Sequence, residues 1–182
     1  MIPPLNRDGL LPPGRWGGSF AEVEQMFVVG QSALRRQIWV DFQNAFNLLH
    51  GVTKISRVWI GGSFTTDKPN PGDIDVVFII RNDVLEAAHK DPMKNKMLNI
   101  FAKRKVKELL NMRVDSFILP WVLSASQEAS SNQVVANYYK GRGYWDDFWE
   151  RTRTPTGADL PLESDVYQRR GYVEVIVDGN NK

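Results

Sequence analysis

The apolar positions of the chain fall into helical and alternating runs separated by Gly, Pro and Asp clusters, and these runs predict its elements. Leu34, Ile38, Phe42, Phe46 and Leu49 recur at helical spacing between Ser32 and His50, and Gly51 stands where such a helix stops. Ser19 followed by Glu22 has capping-box spacing, in which each side chain satisfies an orphan backbone N–H. An earlier helix should therefore begin near Phe20 and break near Gly30. Ile55–Ile60 is rich in β-formers, and Asp73–Ile80 ends in the run Val76, Val77, Phe78, Ile79, Ile80. A helix capped at Asn82 or Asp83 is expected next, interrupted at Asp91-Pro92 and resuming over Pro92–Met112 with Leu98, Ala102, Val106 and Leu109 on one face. Arg113–Leu119 reads as the third strand and Gly171–Val177 as the last.

The remaining segments carry weaker patterns. Met1–Gly18, dense in Pro and Gly, reads as an irregular arm docked through Leu5, Leu10, Leu11 and Trp16. After Pro120, Glu128–Tyr139 and Tyr144–Arg151 are predicted helical around a flexible Lys140-Gly141-Arg142-Gly143 stretch, and Thr152–Leu162 has loop composition. Helices before, between and after mixed strands predict one α/β (α+β) domain with a small mixed sheet over residues 1–182: an arm at 1–18, a core at 55–119 and an extension at 120–182.

Composition narrows the chemistry. At 182 residues, 42% of them apolar, the chain can bury one core without staples. It has no Cys, which removes thiol nucleophiles, disulfides and thiolate metal sites; its two His, His50 and His89, are too few for most histidine-based zinc sites. Carboxylates are left to do the chemistry. The formal charge of +2 does not by itself mark a nucleic-acid binder. The opening lacks a signal-peptide pattern and no apolar run approaches ~20 residues, so no membrane association and a cytoplasmic location are expected.

The informative segment is Ile60-Gly61-Gly62-Ser63, then nine residues, then Asp73-Ile74-Asp75-Val76. Carboxylates two apart on a strand share a face, while Ile74, Val76, Phe78 and Ile80 fill the other. Like charges at ~4 Å repel by roughly 4 kcal/mol at an effective dielectric of about 20, and a hard divalent cation such as Mg²⁺ or Mn²⁺ reverses that sign. Gly61 and Gly62 let backbone approach a ligand and Ser63 adds a hydroxyl, which together make an anion cradle. Asp115, interrupting an apolar strand, is the candidate third acid.

This pattern resembles the signature of the polymerase-β-type nucleotidyltransferase superfamily over about residues 55 to 119. The segment Ile2-Pro3-Pro4-Leu5-Asn6-Arg7-Asp8-Gly9-Leu10-Leu11-Pro12-Pro13-Gly14 is similar to the start of a little-characterised bacterial and phage family of stand-alone nucleotidyltransferase-like proteins. The resemblance implies that Gly62 and Ser63 hold a triphosphate and that Asp73, Asp75 and Asp115 bind divalent metal, with Asp115 activating the acceptor. It also implies transfer of an NMP from an NTP to a hydroxyl of RNA (a tRNA end included), protein or a small molecule. One departure is that Phe64-Thr65-Thr66 supplies no Arg after the turn, so Lys54, Arg57 and Lys68 are the nearby candidates for the phosphate's basic partner.

Two other function classes stand beside it. One is a catalytically silent nucleotide-binding partner module of a toxin–antitoxin or phage-defence system. The other is a sequence-independent nucleic-acid binder using Lys103-Arg104-Lys105, a cluster whose simpler reading is the wet side of an amphipathic helix. The aromatic stretch Tyr138, Tyr139, Tyr144, Trp145, Phe148 and Trp149 reads in the same way as core packing against the sheet, with base stacking as the alternative.

Overall fold

The structure, a computed structural model, describes residues 1–122, 132–152, 163–166 and 169–178. Its helices begin where short polar side chains satisfy the first backbone donors. Ser19 and Glu22 form the expected capping box at the start of α1 (Phe20–Phe27). Ser32 caps α2 (Ala33–Val52), and Asp91 caps α4 (Pro92–Ala102) with Pro92 in its first turn. Between these, α3 (Asn82–His89) starts without a side-chain cap: Asn82 is already helical, and Asp83 pairs with Arg81 at 2.6 Å instead.

The strands are β1 (Gly14–Gly18), β2 (Arg57–Gly61), β3 (Ile74–Arg81), β4 (Val114–Trp121) and β5 (Gly171–Ile176), in the sheet order β1-β5-β2-β3-β4. The central strand β2 is antiparallel to β3 and β5, and the outer pairs β3–β4 and β1–β5 are parallel. The fold is therefore of the expected α+β class with a mixed sheet. Strand alternation divides its side chains between two cores. Val58, Ile60, Ile74, Val76, Phe78, Ile80, Val173 and Val175 pack with Phe27, Ile38, Phe42, Leu98 and Phe101 of α1, α2 and α4. Trp59, Val77, Ile79, Leu119 and Tyr172 pack on the other face with Trp149 of α6 (Gln133–Glu150).

Three stretches differ from the sequence pattern. The arm is not wholly irregular: its last five residues are β1, which lies along β5. Gly171 permits this close edge, since a Cβ there would lie 2.2 Å from the Pro12 carbonyl oxygen. The helix expected over Pro92–Met112 ends at Ala102, turns through Arg104 at φ +59, and resumes only as α5 (Val106–Leu110). A left-handed residue cannot continue a right-handed helix, so Lys103-Arg104-Lys105 is a turn rather than a helix face. Conversely, α6 runs unbroken through Gly141 and Gly143. A Cβ at Gly141 would come within 2.9 Å of Leu119, so contact with β4 sustains the helix despite glycine's poor propensity. Residues 128–131 and 153–162 of the predicted helix and loop lie outside the described residues.

One buried charge organises the connection between β2 and β3. Arg35 of α2 is 1% exposed and donates to the carbonyls of Phe27 (3.1 Å), Phe64 (2.8 Å), Thr66 (2.7 Å) and Lys68 (2.6 and 3.2 Å). Its guanidinium thus satisfies four main-chain acceptors that no secondary structure pairs. Each buried acceptor left unpaired costs about 1–3 kcal/mol, so Arg35→Met is expected to lower stability by at least about 3 kcal/mol in urea denaturation. The exposed neighbour Arg36→Met should change it by less than about 0.5 kcal/mol.

Candidate functional site

Strand register brings the three sequence-marked groups into one row. Gly61 of β2 lies opposite Asp75 of β3, and Asp75 lies opposite Asp115 of β4. By alternation, Asp75 shares its face with Val77 and Ile79, and Asp115 shares its face with Phe117 and Leu119, which is the face that α6 covers. Asp73 sits one residue ahead of β3 and belongs to the connecting loop rather than the strand. Its carboxylate accepts from Lys107 Nζ at 3.1 Å. Arg104 binds Asp115 with two donors, Nε to Oδ1 at 2.8 Å and Nη2 to Oδ2.

Asp75 differs from both neighbours, having no ion pair among the described residues. Burial is the main reason that its pKa is pushed up to about 6, and the charges of Asp73 and Asp115 add to it; Arg170 and Arg104 oppose the rise. Asp75 therefore ionises in the field of the two carboxylates beside it.

The glycines of the turn are filled by protein. Gly61 faces Trp149, whose Cε3 would lie 2.3 Å from an added Cβ. Gly62 takes φ +69 at the start of a 3-10 turn (Gly62–Thr65), and a Cβ there would lie 1.7 Å from Asp75 Oδ2. Both glycines are thus required for packing, one beneath α6 and one beneath the half-buried carboxylate of Asp75. Ser63, the next residue of the turn, is half-buried.

The structure adds a residue that the sequence pattern did not mark. Arg170, immediately before β5, donates from Nη1 to the Gly62 carbonyl at 2.8 Å, while its Nε is buried without a hydrogen bond among the described residues. It stands 108 positions from Gly62, and only the insertion of β5 beside β2 delivers it. The three basic residues suggested by proximity in sequence are placed elsewhere. Arg57 lies opposite Ile79 and pairs with Glu174 at 3.4 Å, Lys68 gives its carbonyl to Arg35, and Lys54 lines a cleft with Arg81 at the far end of β3.

Hard oxygen donors of this kind suit Mg²⁺ or Mn²⁺ in chemistry. Among the described residues, however, no three acidic or histidine side chains converge tightly enough to hold a metal ion. Two of the three carboxylates are engaged by Arg104 and Lys107, whose side chains are 58% and 60% exposed. The single contact of Lys107 is a surface pair worth only ~0–1 kcal/mol, whereas Arg104 holds Asp115, 17% exposed, with two donors, so a divalent competitor displaces Lys107 the more readily.

Two outcomes follow from this geometry. Gly62→Ala should lose about 2 kcal/mol or more, since it combines an unfavourable left-handed backbone with the displacement of Asp75; thermal denaturation would measure it. An acid whose folded pKa lies above its ordinary value of 3.8 stabilises the fold fully below that value and loses the contribution as pH rises through about 6. Asp75→Asn should therefore flatten the stability profile between these limits and be at least as stable as the parent at neutral pH.

Residues 3–176 match a family model described as a family of unknown function (DUF6932). No curated protein and no solved structure matches the chain. The family match spans nearly all of the sequence, strands β1 to β5 and the acidic row included, and the chain belongs to the DUF6932 family.

Proposed function

We propose that the protein is a nucleotidyltransferase, moving a nucleoside monophosphate from an NTP to a hydroxyl acceptor with release of pyrophosphate. The observation that carries this reading is the row Gly61, Asp75, Asp115 across three strands, with Asp73 beside it and Ser63 and Arg170 at its turn. Acids beside a turn that carries a hydroxyl and a guanidinium are what phosphoryl chemistry needs, because positioning and charge neutralisation supply most of its rate. No described helix is long and apolar enough to cross a membrane, and a cytoplasmic location forms part of the proposal.

In this reading Asp73, Asp75 and Asp115, which do not converge on a metal as they stand, would close on Mg²⁺ or Mn²⁺ only as Lys107 and Arg104 give way, and the bound ion would neutralise charge developing on the phosphates. Ser63 and the charge of Arg170 bind the triphosphate at the turn. Asp115, once released from the two Arg104 donors, accepts the acceptor's hydroxyl proton. The acceptor oxygen then forms a bond to the α-phosphorus as the bond to the β-phosphate oxygen breaks, and pyrophosphate leaves with that electron pair.

The pairing of Arg104 and Lys107 with two of the carboxylates favours a second reading, the catalytically silent nucleotide-binding partner. One assay separates the two: protein, Mg²⁺ and each α-labelled NTP in turn with a whole-cell extract, followed by resolution of RNA, protein and small-molecule fractions. Transfer of label, reduced at least about 100-fold by Asp75→Asn or Asp115→Asn, is the expected result. Arg170→Gln should raise the KM for NTP about tenfold or more, as loss of a charged hydrogen-bond donor does. NTP binding without label in any fraction would overturn the transferase and leave the partner module.

A further inference from the structure

Two features of the sequence with bland separate explanations meet in the fold. Tyr144 and Phe148 of α6 are 58% and 45% exposed, so these rings are not core. They lie one helical turn apart with centroids 5.8 Å and planes 15° from each other, so that the two half-exposed rings stack side by side along the helix. Both stand edge-on to Trp145, at 5.0 Å and 5.7 Å, and Trp145 packs on Phe117 at 4.3 Å. The exposed pair is thus braced from below rather than free to collapse. Lys140 continues the same stripe one turn earlier and is exposed.

Phe117 is also where the basic turn arrives. The Arg104 guanidinium lies 4.9 Å from the centre of its ring, a cation–π contact, while binding Asp115 two residues away on the same face of β4. Lys103, Arg104, Lys105 and Lys107 place four exposed cations within five positions there. The acidic residues along α6 do not oppose this charge, because each is paired: Asp146 with Arg142 at 3.7 Å, Asp147 with Arg151 and Arg169, and Glu150 with Arg169 at 2.9 Å.

We propose that the α4–α5 turn and the exposed aromatic stripe of α6 form a track for single-stranded nucleic acid, with Lys103 and Lys105 on the phosphates and Tyr144 and Phe148 stacked on bases. Aromatic faces interleaved with cations bind single strands because every base has a stackable face, whereas a duplex keeps its faces covered. The contacts from Phe148 through Trp145, Phe117 and Arg104 end at Asp115, so a strand on this track brings a terminal hydroxyl towards the acidic row. That role as acceptor rests on the transferase reading; the track itself does not.

The test uses the full chain without NTP or metal and a fluorescein-labelled oligouridylate of about 12 nucleotides, followed by anisotropy at ~50 and ~200 mM salt, with the oligouridylate–oligoadenylate duplex as competitor. The proposal expects saturable, salt-sensitive binding that Tyr144→Ala/Phe148→Ala weakens at least about tenfold with an unchanged thermal midpoint. Lys103→Ala/Lys105→Ala should weaken binding and make the salt dependence shallower by roughly one unit of slope. No binding at low salt, an aromatic variant that binds as well as the parent, or a duplex that competes equally would each overturn it. Binding with these dependences supports the track whether or not label enters RNA in the transfer assay, so failure of the chemistry is read separately.

Discussion

The register of β2, β3 and β4 is the constraint on which the site depends. Strand β3 is covered on both faces, with Ile74, Val76, Phe78 and Ile80 in one core and Val77 and Ile79 in the other. A slip of one residue would exchange these faces and carry Asp75 into the core of α1, α2 and α4. The apolar packing therefore aligns Gly61, Asp75 and Asp115. The shared acidic field is a by-product of hydrophobic order.

Two basic residues of long sequence separation hold the turn beside that row. Arg35 grips the connection from Phe64 to Lys68 through its carbonyls, and Arg170 grips Gly62. On the other face Trp149 fills the space over Gly61, so α6 and β2 meet at the strand end from which the turn departs. A rigid turn backed by buried donors is preorganised, and a group bound there would not have to order the loop.

The charges around the acids are balanced rather than neutral. Arg104 and Lys107 approach from the α4–α5 segment and Arg170 from the strand-end beside β2, leaving the innermost carboxylate without a partner at contact distance among the described residues. Arg104 has two partners of different kind, Asp115 and the Phe117 ring, which joins the acidic row to the aromatic layer of α6. Changing that one side chain would disturb both.

Local chemistry made much of the architecture legible. Ser19 and Glu22, Ser32 and Asp91 begin their helices because capping needs only neighbours in sequence, and the Asp73–Ile80 strand is plain because apolar β-formers on both faces suit only a buried strand. The acidic residues and the Gly-Gly-Ser turn were marked for the same reason, each interrupting a local apolar pattern. Tertiary structure decided what depends on distant partners. Glycine-rich Gly14–Gly18 became a strand only because β5 lies beside it, α6 runs through two glycines because β4 supports it, and the basic cluster became a turn because Arg104 leaves the helix to reach Asp115 and Phe117. Arg170 had no local signal at all, since its position follows from where the last strand enters the sheet, and side-chain periodicity along one element carries no information about which strand will lie next to it.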